Sequence, residues 1–499
     1  MRVLAVTGRL AQDLVRASAR GADVLVLDVA VAAFITPQML AASAPQGYDL
    51  ILVPGAVTAD FREAEKALGA KIRLGPKHAA DLGFVLHHLD EVELSRTVPA
   101  CVLLEKRMRE GALALADELE ERAAAAMQIK GVKIGGGSRM KVLAEVADAT
   151  RLDSERLAEK IRYYEEQGAD MIDLGLPPDA RAEDAARAVR VAKEVTDLPV
   201  SVDTVRSDLI LAGLEAGADM ILSLNGQNLR VVGEAVAAAK IPAVVIPGPG
   251  ENCLEENLRS AEALGIRVIA DPVLDPPLQG LAASLIRYIR FRETHPQVPL
   301  FFGAGNVTEL LDADTQGVNA LLAALAAEVE AAILFTPEYS AKARGSVREL
   351  AGAADMMQLA AARRTPPKDL GIDLLVLKEK RPRPEENLPE RFVPAGSDHE
   401  YVPDPAGCFR IFLAGGKIVA RNRRVTVAGD SARDLLNTLI EKGYVSRLDH
   451  AGYLGRELEK AQTALLLKRS YCQDEPLFAP DKRQIGQKLN KNSLVKWCG

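Results

Sequence analysis

The feature that most constrains the fold of this chain is a series of short apolar segments that alternate with helical segments over residues 140–363. The apolar segments are followed by Gly, Pro or an acid, as in GADMIDLGLPP, LPVSVDT and LEAGADMILSLNG. Such segments are typical of buried parallel strands. We count eight strand candidates, and a helical pattern follows each of them. They are residues 142–146, 171–174, 200–203, 220–224, 243–247, 268–271, 300–303 and 332–335.

Eight successive strand–helix units predict an α/β fold of the closed (β/α)8, or TIM-barrel, type. An open doubly wound sheet would show the same alternation and stays open as an alternative. In a closed barrel the carboxyl ends of all strands meet at one mouth, so the polar residues there form the candidate site. The candidates are Glu145, Asp173, Asp203, Ser223, Asn225, Asp271 and Asn306.

This mouth is rich in acids and amides, which favours a ligand with many N–H donors. Carboxylates accept paired hydrogen bonds from a ring N–H and an exocyclic amine. A nitrogen heterocycle that carries an amino group has such an edge. The same acids could instead cap the helices that follow their strands, and Asn306 could cap the helix that begins near residue 308.

Smaller domains flank the predicted barrel, since 499 residues are too many for one ordinary domain. Residues 1–104 predict a small α/β domain of the flavodoxin or Rossmann type. Its strand candidates are residues 3–6, 24–28, 50–53 and 101–104. Residues 105–139 predict a helical linker, with one long helix over 105–130 that ends before Gly135-Gly136-Gly137.

The sequence after the barrel predicts a linker, or packing arm, followed by a further domain. Residues 364–403 have the composition of a linker, with one strand at 374–377. Residues 404–480 predict a small α+β domain that contains a hairpin of residues 408–414 and 417–420. Residues 481–499 predict a flexible basic tail.

Composition excludes several classes of function. The net charge of −7 argues against a nucleic-acid partner. We predict no membrane span, because no apolar run approaches about 20 residues. Five scattered cysteines without C-x-x-C spacing predict reduced thiols in a cytoplasmic protein. The histidines at 78, 87 and 88 lack metal-site spacing, so no metal ligands are predicted.

LPVSVDT, LEAGADMILSLNG and VIADPVLDPP resemble the pterin-binding barrel of dihydropteroate synthase and of the pterin-dependent corrinoid methyltransferases. The resemblance implies that Asp203, polar residues after the fourth strand and Asp271 hold a pterin ring. Where the synthase has an Asn-Asp pair, this chain has Leu222-Ser223, so Ser223 or Asn225 would serve. The synthase segments that handle pyrophosphate and aminobenzoate are absent, so ordinary dihydropteroate synthesis is not expected.

Two other branches of this superfamily also resemble the chain. GAGNVTE is similar to the methyltransferase branch, in which Asn306 would contact the pterin, but a corrinoid motif is missing and a separate corrinoid protein would be needed. The whole layout resembles the dihydropteroate synthase-like proteins of organisms that make tetrahydromethanopterin, through KARGSV, HAGYLGRELEKAQTAL and YCQDEPLF. That group implies the coupling of an activated hydroxymethyl dihydropterin to a ribofuranosyl-aminobenzene phosphate.

The resemblance also implies roles for cations. Lys342 and Arg344, just after the eighth strand, would neutralise a departing or substrate phosphate, although both could simply lie at a solvated helix start. Mg²⁺ could accompany a pyrophosphate substrate, and no covalently bound cofactor is expected. A homodimer is expected. The non-catalytic alternative is a barrel that binds pterin as a scaffold.

Overall fold

The computed structural model describes residues 1–248, 254–380, 391–396 and 402–478. The chain divides into two compact units, residues 1–382 and 383–499, which are described separately. The predicted flexible tail at 481–499 lies outside the described residues. In the described part of the chain, no helix combines the length and the apolar character needed to cross a membrane.

The first domain of unit 1 is a parallel four-stranded sheet with strand order β2-β1-β3-β4. The strands are β1 Val3–Thr7, β2 Asp23–Val26, β3 Leu50–Val53 and β4 Lys71–Leu74. The helices are α1 Gln12–Ser18, α2 Pro37–Ala42, α3 Arg62–Leu68, α4 Leu82–His87 and α5 Ala100–Leu103.

The predicted strand at residues 101–104 is wrong, because these residues form most of α5 and its end. A short apolar run does not by its periodicity distinguish a strand from a buried helical turn. The fourth strand is β4, which the sequence did not reveal. It alternates Lys71 and Arg73 with the buried Ile72 and Leu74, as expected for the edge of a sheet.

The predicted helix over 105–130 ends early, as α6 Glu105–Arg122. Lys133 Nζ donates hydrogen bonds to the carbonyls of Glu120, Glu121 and Ala123 at 2.8–2.9 Å, which satisfies the end of the helix. The following residues form an antiparallel hairpin, β5 Met127–Ile129 and β6 Val132–Ile134, instead of a linker.

The barrel prediction is confirmed: eight parallel strands form a closed sheet in chain order. They are β7 Lys141–Val146, β8 Met171–Gly175, β9 Val200–Asp203, β10 Met220–Leu224, β11 Pro242–Val245, β12 Arg267–Ala270, β13 Leu300–Phe302 and β14 Ala331–Pro337. The surrounding helices are α7 Ser154–Glu166, α8 Ala182–Val195, α9 Ser207–Glu215, α10 Leu229–Ala239, α11 Leu254–Ala263, α12 Leu281–Thr294, α13 Gly305–Thr308, α14 Thr315–Glu328 and α15 Ser346–Arg363.

The β5–β6 hairpin closes the amino end of the barrel. Ile129 and Ile134 pack against inward-facing residues such as Leu143 and Met171. Arg267, the first residue of β12, donates to the Gln128 carbonyl at 3.2 Å, which locates the hairpin at the amino ends of the strands. The opposite end, where the strands have their carboxyl termini, therefore forms the mouth.

After the barrel, residues 374–377 do not form the predicted strand. In unit 2, the predicted hairpin is confirmed as β15 Arg410–Ala414 and β16 Lys417–Arg421, joined across Gly415-Gly416. A third antiparallel strand, β17 Thr426–Gly429, was not predicted. Helices α16 Ala432–Glu441 and α17 Leu448–Leu466 pack with this sheet into a core of their own.

We expect Ile134→Ala to lower the free energy of unfolding of the first unit by about 2–5 kcal/mol. Ile134 is fully buried in the hairpin plug, so its truncation leaves a cavity. Ile289→Ala, at a residue that is 49% exposed, is the matched control. Urea unfolding of both variants measures the difference, and equal losses would contradict a packed plug.

Candidate active site

Three carboxylates from neighbouring strands meet at the barrel mouth. Glu145 on β7 lies beside Asp173 on β8, and Asp203 ends β9. One oxygen from each lies within 4.8 Å of the other two. Gly175 makes this arrangement feasible, because a Cβ at that position would lie 2.2 Å from Oε1 of Glu145.

The three acids cannot all be ionised at neutral pH without a cation between them. Burial, reinforced by the charges of Asp203, Asp148 and Glu309, raises the pKa of Glu145 to about 8. Burial and the charges of Asp203 and Glu145 raise the pKa of Asp173 well above its ordinary value. Burial also raises the pKa of Asp203. At neutral pH the cluster therefore holds protons and offers O–H donors beside carboxylate acceptors.

Asp173 is the most buried member of the cluster. Its side chain accepts a hydrogen bond from Ser201 Oγ at 2.5 Å through Oδ1. Its Oδ2 is buried and has no hydrogen-bond partner among the described residues. A proton on Asp173, a ligand or a cation would satisfy this oxygen.

Ser223 supports Asp203 from the next strand. Its Oγ donates to Oδ1 of Asp203 at 2.5 Å. Ser223 has a φ of 64°, where the pairing of β10 with β11 is irregular. A serine held in this left-handed conformation at a strand end indicates a backbone shaped for its contact with Asp203.

Asp271 directly follows β12, so it lies at the carboxyl ends of the barrel strands, as Asp203 does. Its Oδ1 accepts hydrogen bonds from the Val273 amide and the Tyr288 hydroxyl, both at 2.8 Å. Burial raises the pKa of Asp271 to about 6 although these hydrogen bonds oppose the shift. Among the described residues, Oδ2 makes no hydrogen bond and is the oxygen left for a ligand.

The side chains of the two predicted amide residues, Asn225 and Asn306, make hydrogen bonds to the backbone of loops at the mouth. Asn225 is 6% exposed, and its Oδ1 accepts from the amides of Gln227 and Asn228 at 2.9 and 3.3 Å, just before α10. Asn306 is exposed, and its Nδ2 donates to the Leu274 carbonyl at 2.8 Å. The hydrogen bonds of Asn225 and Asn306 therefore fix turns.

Two cavities adjoin Glu145. A cavity of about 430 Å³ has Glu145, Asp203 and the loop 176–178 in its wall. A second cavity, of about 270 Å³, is lined by Glu145 together with Arg156, Lys160 and Glu338. Among the described residues, acids outnumber cations in the wall of the first cavity, which also includes Arg206, whereas the second cavity has two of each. The two cavities share the side chain of Glu145.

Lys160 is a site residue that the sequence analysis missed. Its Nζ lies 4.4 Å from the ring centroid of Tyr164 and 5.4 Å from that of Tyr163. Burial lowers the pKa of Lys160, while the charge of Glu338 opposes this shift. A signal was present, because Lys160 interrupts the buried stripe of Leu157, Ile161 and Tyr164 on α7.

The two predicted catalytic cations lie in different surroundings. Lys342 Nζ pairs with the fully exposed Asp312 at 2.8 Å, so it is held by a surface acid. Arg344 hydrogen-bonds to Tyr163, whose hydroxyl also donates to Glu338 at 2.9 Å. Glu338 lines the second cavity, so Arg344 is connected to that cavity through Tyr163 and Glu338, although neither Arg344 nor Lys342 is one of its lining residues. The catalytic role of either residue stays a prediction.

Glu145, Asp173 and Asp203 are also the described residues that could hold a metal ion. Three carboxylate oxygens suit a hard cation such as Mg²⁺. These three acids were not predicted as metal ligands from the sequence, in which they are far apart, and the barrel brings them together. Mg²⁺ stays a prediction.

Comparison with known proteins identifies relatives of both units. The family described as "Pterin binding enzyme" matches residues 145–264, and the family described as "PterinBD-DUF4346" matches residues 403–474. An uncharacterized protein of Methanocaldococcus jannaschii is 35% identical over 522 residues, which cover 96% of this chain and 99% of that protein.

Solved structures of dihydropteroate synthases resemble part of the chain. The Yersinia pestis enzyme with a pterine-sulfa conjugate is 20% identical, with a TM-score of 0.38, and the match covers 48% of this chain and 98% of that one. The Xanthomonas albilineans enzyme with 4-aminobenzoic acid is 23% identical, with a TM-score of 0.38, and the match covers 46% and 95%.

We expect Glu145→Gln to stabilise the chain relative to the wild type as the pH rises from about 5.5 to 8. The pKa of Glu145 is raised in the folded chain, so the folded state binds more protons than the unfolded state between the ordinary value of 4.5 and about 8. The wild type therefore loses stability over this interval, and the variant loses less, by about 1 kcal/mol or more.

Urea unfolding of Glu145→Gln at the two ends of this pH range measures the effect. Glu155→Gln, at an exposed acid on α7, is the control and should follow the wild type. If the stability of Glu145→Gln changes with pH as that of the wild type does, the pKa of Glu145 is not raised in the folded chain.

Proposed function

We propose that this chain, which belongs to the dihydropteroate synthase-like family of pterin-binding proteins, couples a pterin to an arylamine. The pterin substrate would be an activated hydroxymethyl dihydropterin, and the acceptor a ribofuranosyl-aminobenzene phosphate. The reaction would be the dihydropteroate synthase-like step of tetrahydromethanopterin biosynthesis. The resemblance of the whole layout to that group of proteins supports this choice of pathway.

The observation that carries the proposal is the pair of cavities that share Glu145. The larger cavity has three acids in its wall together with Arg206, which already pairs with Asp208. The smaller has Arg156 and Lys160 beside Glu145 and Glu338. A pterin ring offers N–H groups and an exocyclic amine, which match carboxylate oxygens. A pyrophosphate needs cations. One substrate that carries both groups would span the two cavities.

The coupling requires little covalent chemistry from the protein. The arylamine nitrogen attacks the methylene carbon of the pterin as the bond from that carbon to the pyrophosphate oxygen breaks. A C–N bond forms, pyrophosphate leaves with the bonding electron pair, and the amine loses a proton. The protein therefore contributes positioning and stabilisation of the departing charge.

We assign the ring to the acids and the leaving group to the cations. Asp203, with Ser223 behind it, and Oδ2 of Asp271 would accept hydrogen bonds from the pterin. Lys160 and Arg344 would hold the phosphate groups. Lys342 would contribute less than the sequence suggested, because its ammonium already pairs with Asp312.

We expect Asp203→Asn to weaken pterin binding by about ten- to a hundredfold, the value of one charge-assisted hydrogen bond. Fluorescence titration with a dihydropterin measures it. Asp197→Asn, at an exposed acid between α8 and β9, is the control. Unchanged binding in Asp203→Asn would remove the central assignment of the site.

We expect Lys160→Met to slow formation of the coupled product by about tenfold or more, while dihydropterin binding stays close to that of the wild type. Lys342→Met should have a smaller effect. The assay supplies the dihydropterin pyrophosphate and the ribosylated arylamine and follows the product by chromatography. Retained pterin binding without product in the wild type would instead establish the scaffold alternative.

A further inference from the structure

A second cleft lies in unit 2, on the sheet of the C-terminal domain. Its volume is about 910 Å³, and its wall includes three arginines, Arg410, Arg421 and Arg423, with His450 and Tyr453. The one acid in its wall is Asp474, which accepts a hydrogen bond from the Tyr453 hydroxyl at 2.8 Å. The proposed coupling reaction makes no use of this cleft.

The three arginines lack acidic partners within the described residues. Arg410 lies on β15 and stacks over the ring of Phe412 at 5.5 Å, while Arg421 ends β16 and Arg423 follows it. Some other cations of this domain pair with acids, as in Lys417 with Asp430 and Arg447 with Asp449. An unpaired cluster of guanidinium groups in a concave wall is suited to an anion.

His450 presents a fixed nitrogen to the same cleft. The residue is only 8% exposed, and its Nδ1 lies 2.8 Å from Oδ2 of Asp404. Asp404 stays a carboxylate, because hydrogen bonds from Ser446, His450 and Ala406 lower its pKa against the effect of burial. Nδ1–H therefore donates to Asp404, and Nε2 has no partner among the described residues.

We propose that this cleft is a binding site for a small phosphate monoester. The three guanidinium groups would bind the phosphate oxygens, and Nε2 of His450 would contact the phosphate or the adjoining hydroxyl groups. A phosphate monoester has a charge of about −1.5 to −2 at pH 7, which several cations match better than the single charge of a carboxylate does. The cleft is concave and not an extended basic stripe, which favours a small molecule over a nucleic acid.

Calorimetric titration of the full-length chain with ribose 5-phosphate tests the site, with ribose as the probe that lacks the phosphate. We expect ribose 5-phosphate to bind and ribose not to bind. Arg421→Gln and Arg423→Gln should each weaken it at least about tenfold, since each removes a charge-assisted pair of hydrogen bonds. Arg424→Gln, at an exposed neighbouring arginine outside the cleft wall, is the matched control and should bind as the wild type does.

A second measurement separates this cleft from the barrel. The chain has six histidines, so the histidine ring signals can be resolved by NMR after selective labelling, and His450→Gln identifies the signal of His450. We expect ribose 5-phosphate to shift that signal in the wild type and in Arg344→Gln. Absence of binding, or binding that Arg344→Gln abolishes while the His450 signal stays unmoved, would overturn the proposal. Either result leaves the coupling assay to decide the proposed function independently.

Discussion

The repulsion among Glu145, Asp173 and Asp203 is the constraint on which the rest of the site depends. Three carboxylates within 4.8 Å of one another in a buried setting remain together only if protons, a ligand or a cation offset their charge. The rest of the barrel offsets this cost through the closed sheet, the hairpin plug at the opposite end and a core of inward-facing apolar residues.

Glu145, Asp203 and Asp271 are each positioned by a neighbouring residue. Gly175 leaves room for the carboxylate of Glu145, and Ser223 adopts a left-handed conformation to reach Asp203. Tyr288 and the Val273 amide occupy one oxygen of Asp271. Each of these features fixes the position of an acid side chain at the mouth.

The two units differ in whether the cations near their cavities have an acid close to them. In the barrel, Lys160 and Arg344 lie beside Glu338, so positive charge is held close to the acidic mouth without entering it. In the C-terminal domain, the three arginines of the cleft form no ion pair among the described residues, and the acid in the cleft wall, Asp474, accepts a hydrogen bond from Tyr453. The first arrangement suits a substrate with a ring and a charged leaving group, and the second suits an anion alone.

The sequence by itself determined the barrel and most of its mouth. Apolar strands ended by Asp, Ser and Gly are local patterns, and strand ends converge in any closed parallel barrel, so Asp203 and Asp271 could be found from sequence. The sequence did not determine the short elements. Residues 101–104 form a helix and residues 127–134 form a hairpin. Such short segments adopt the structure that their tertiary neighbours stabilise. Only the tertiary structure decided which side chains touch. Lys342 pairs with Asp312 while Lys160 reaches the cavity, because side-chain contacts depend on distances between helices that no spacing in the sequence encodes.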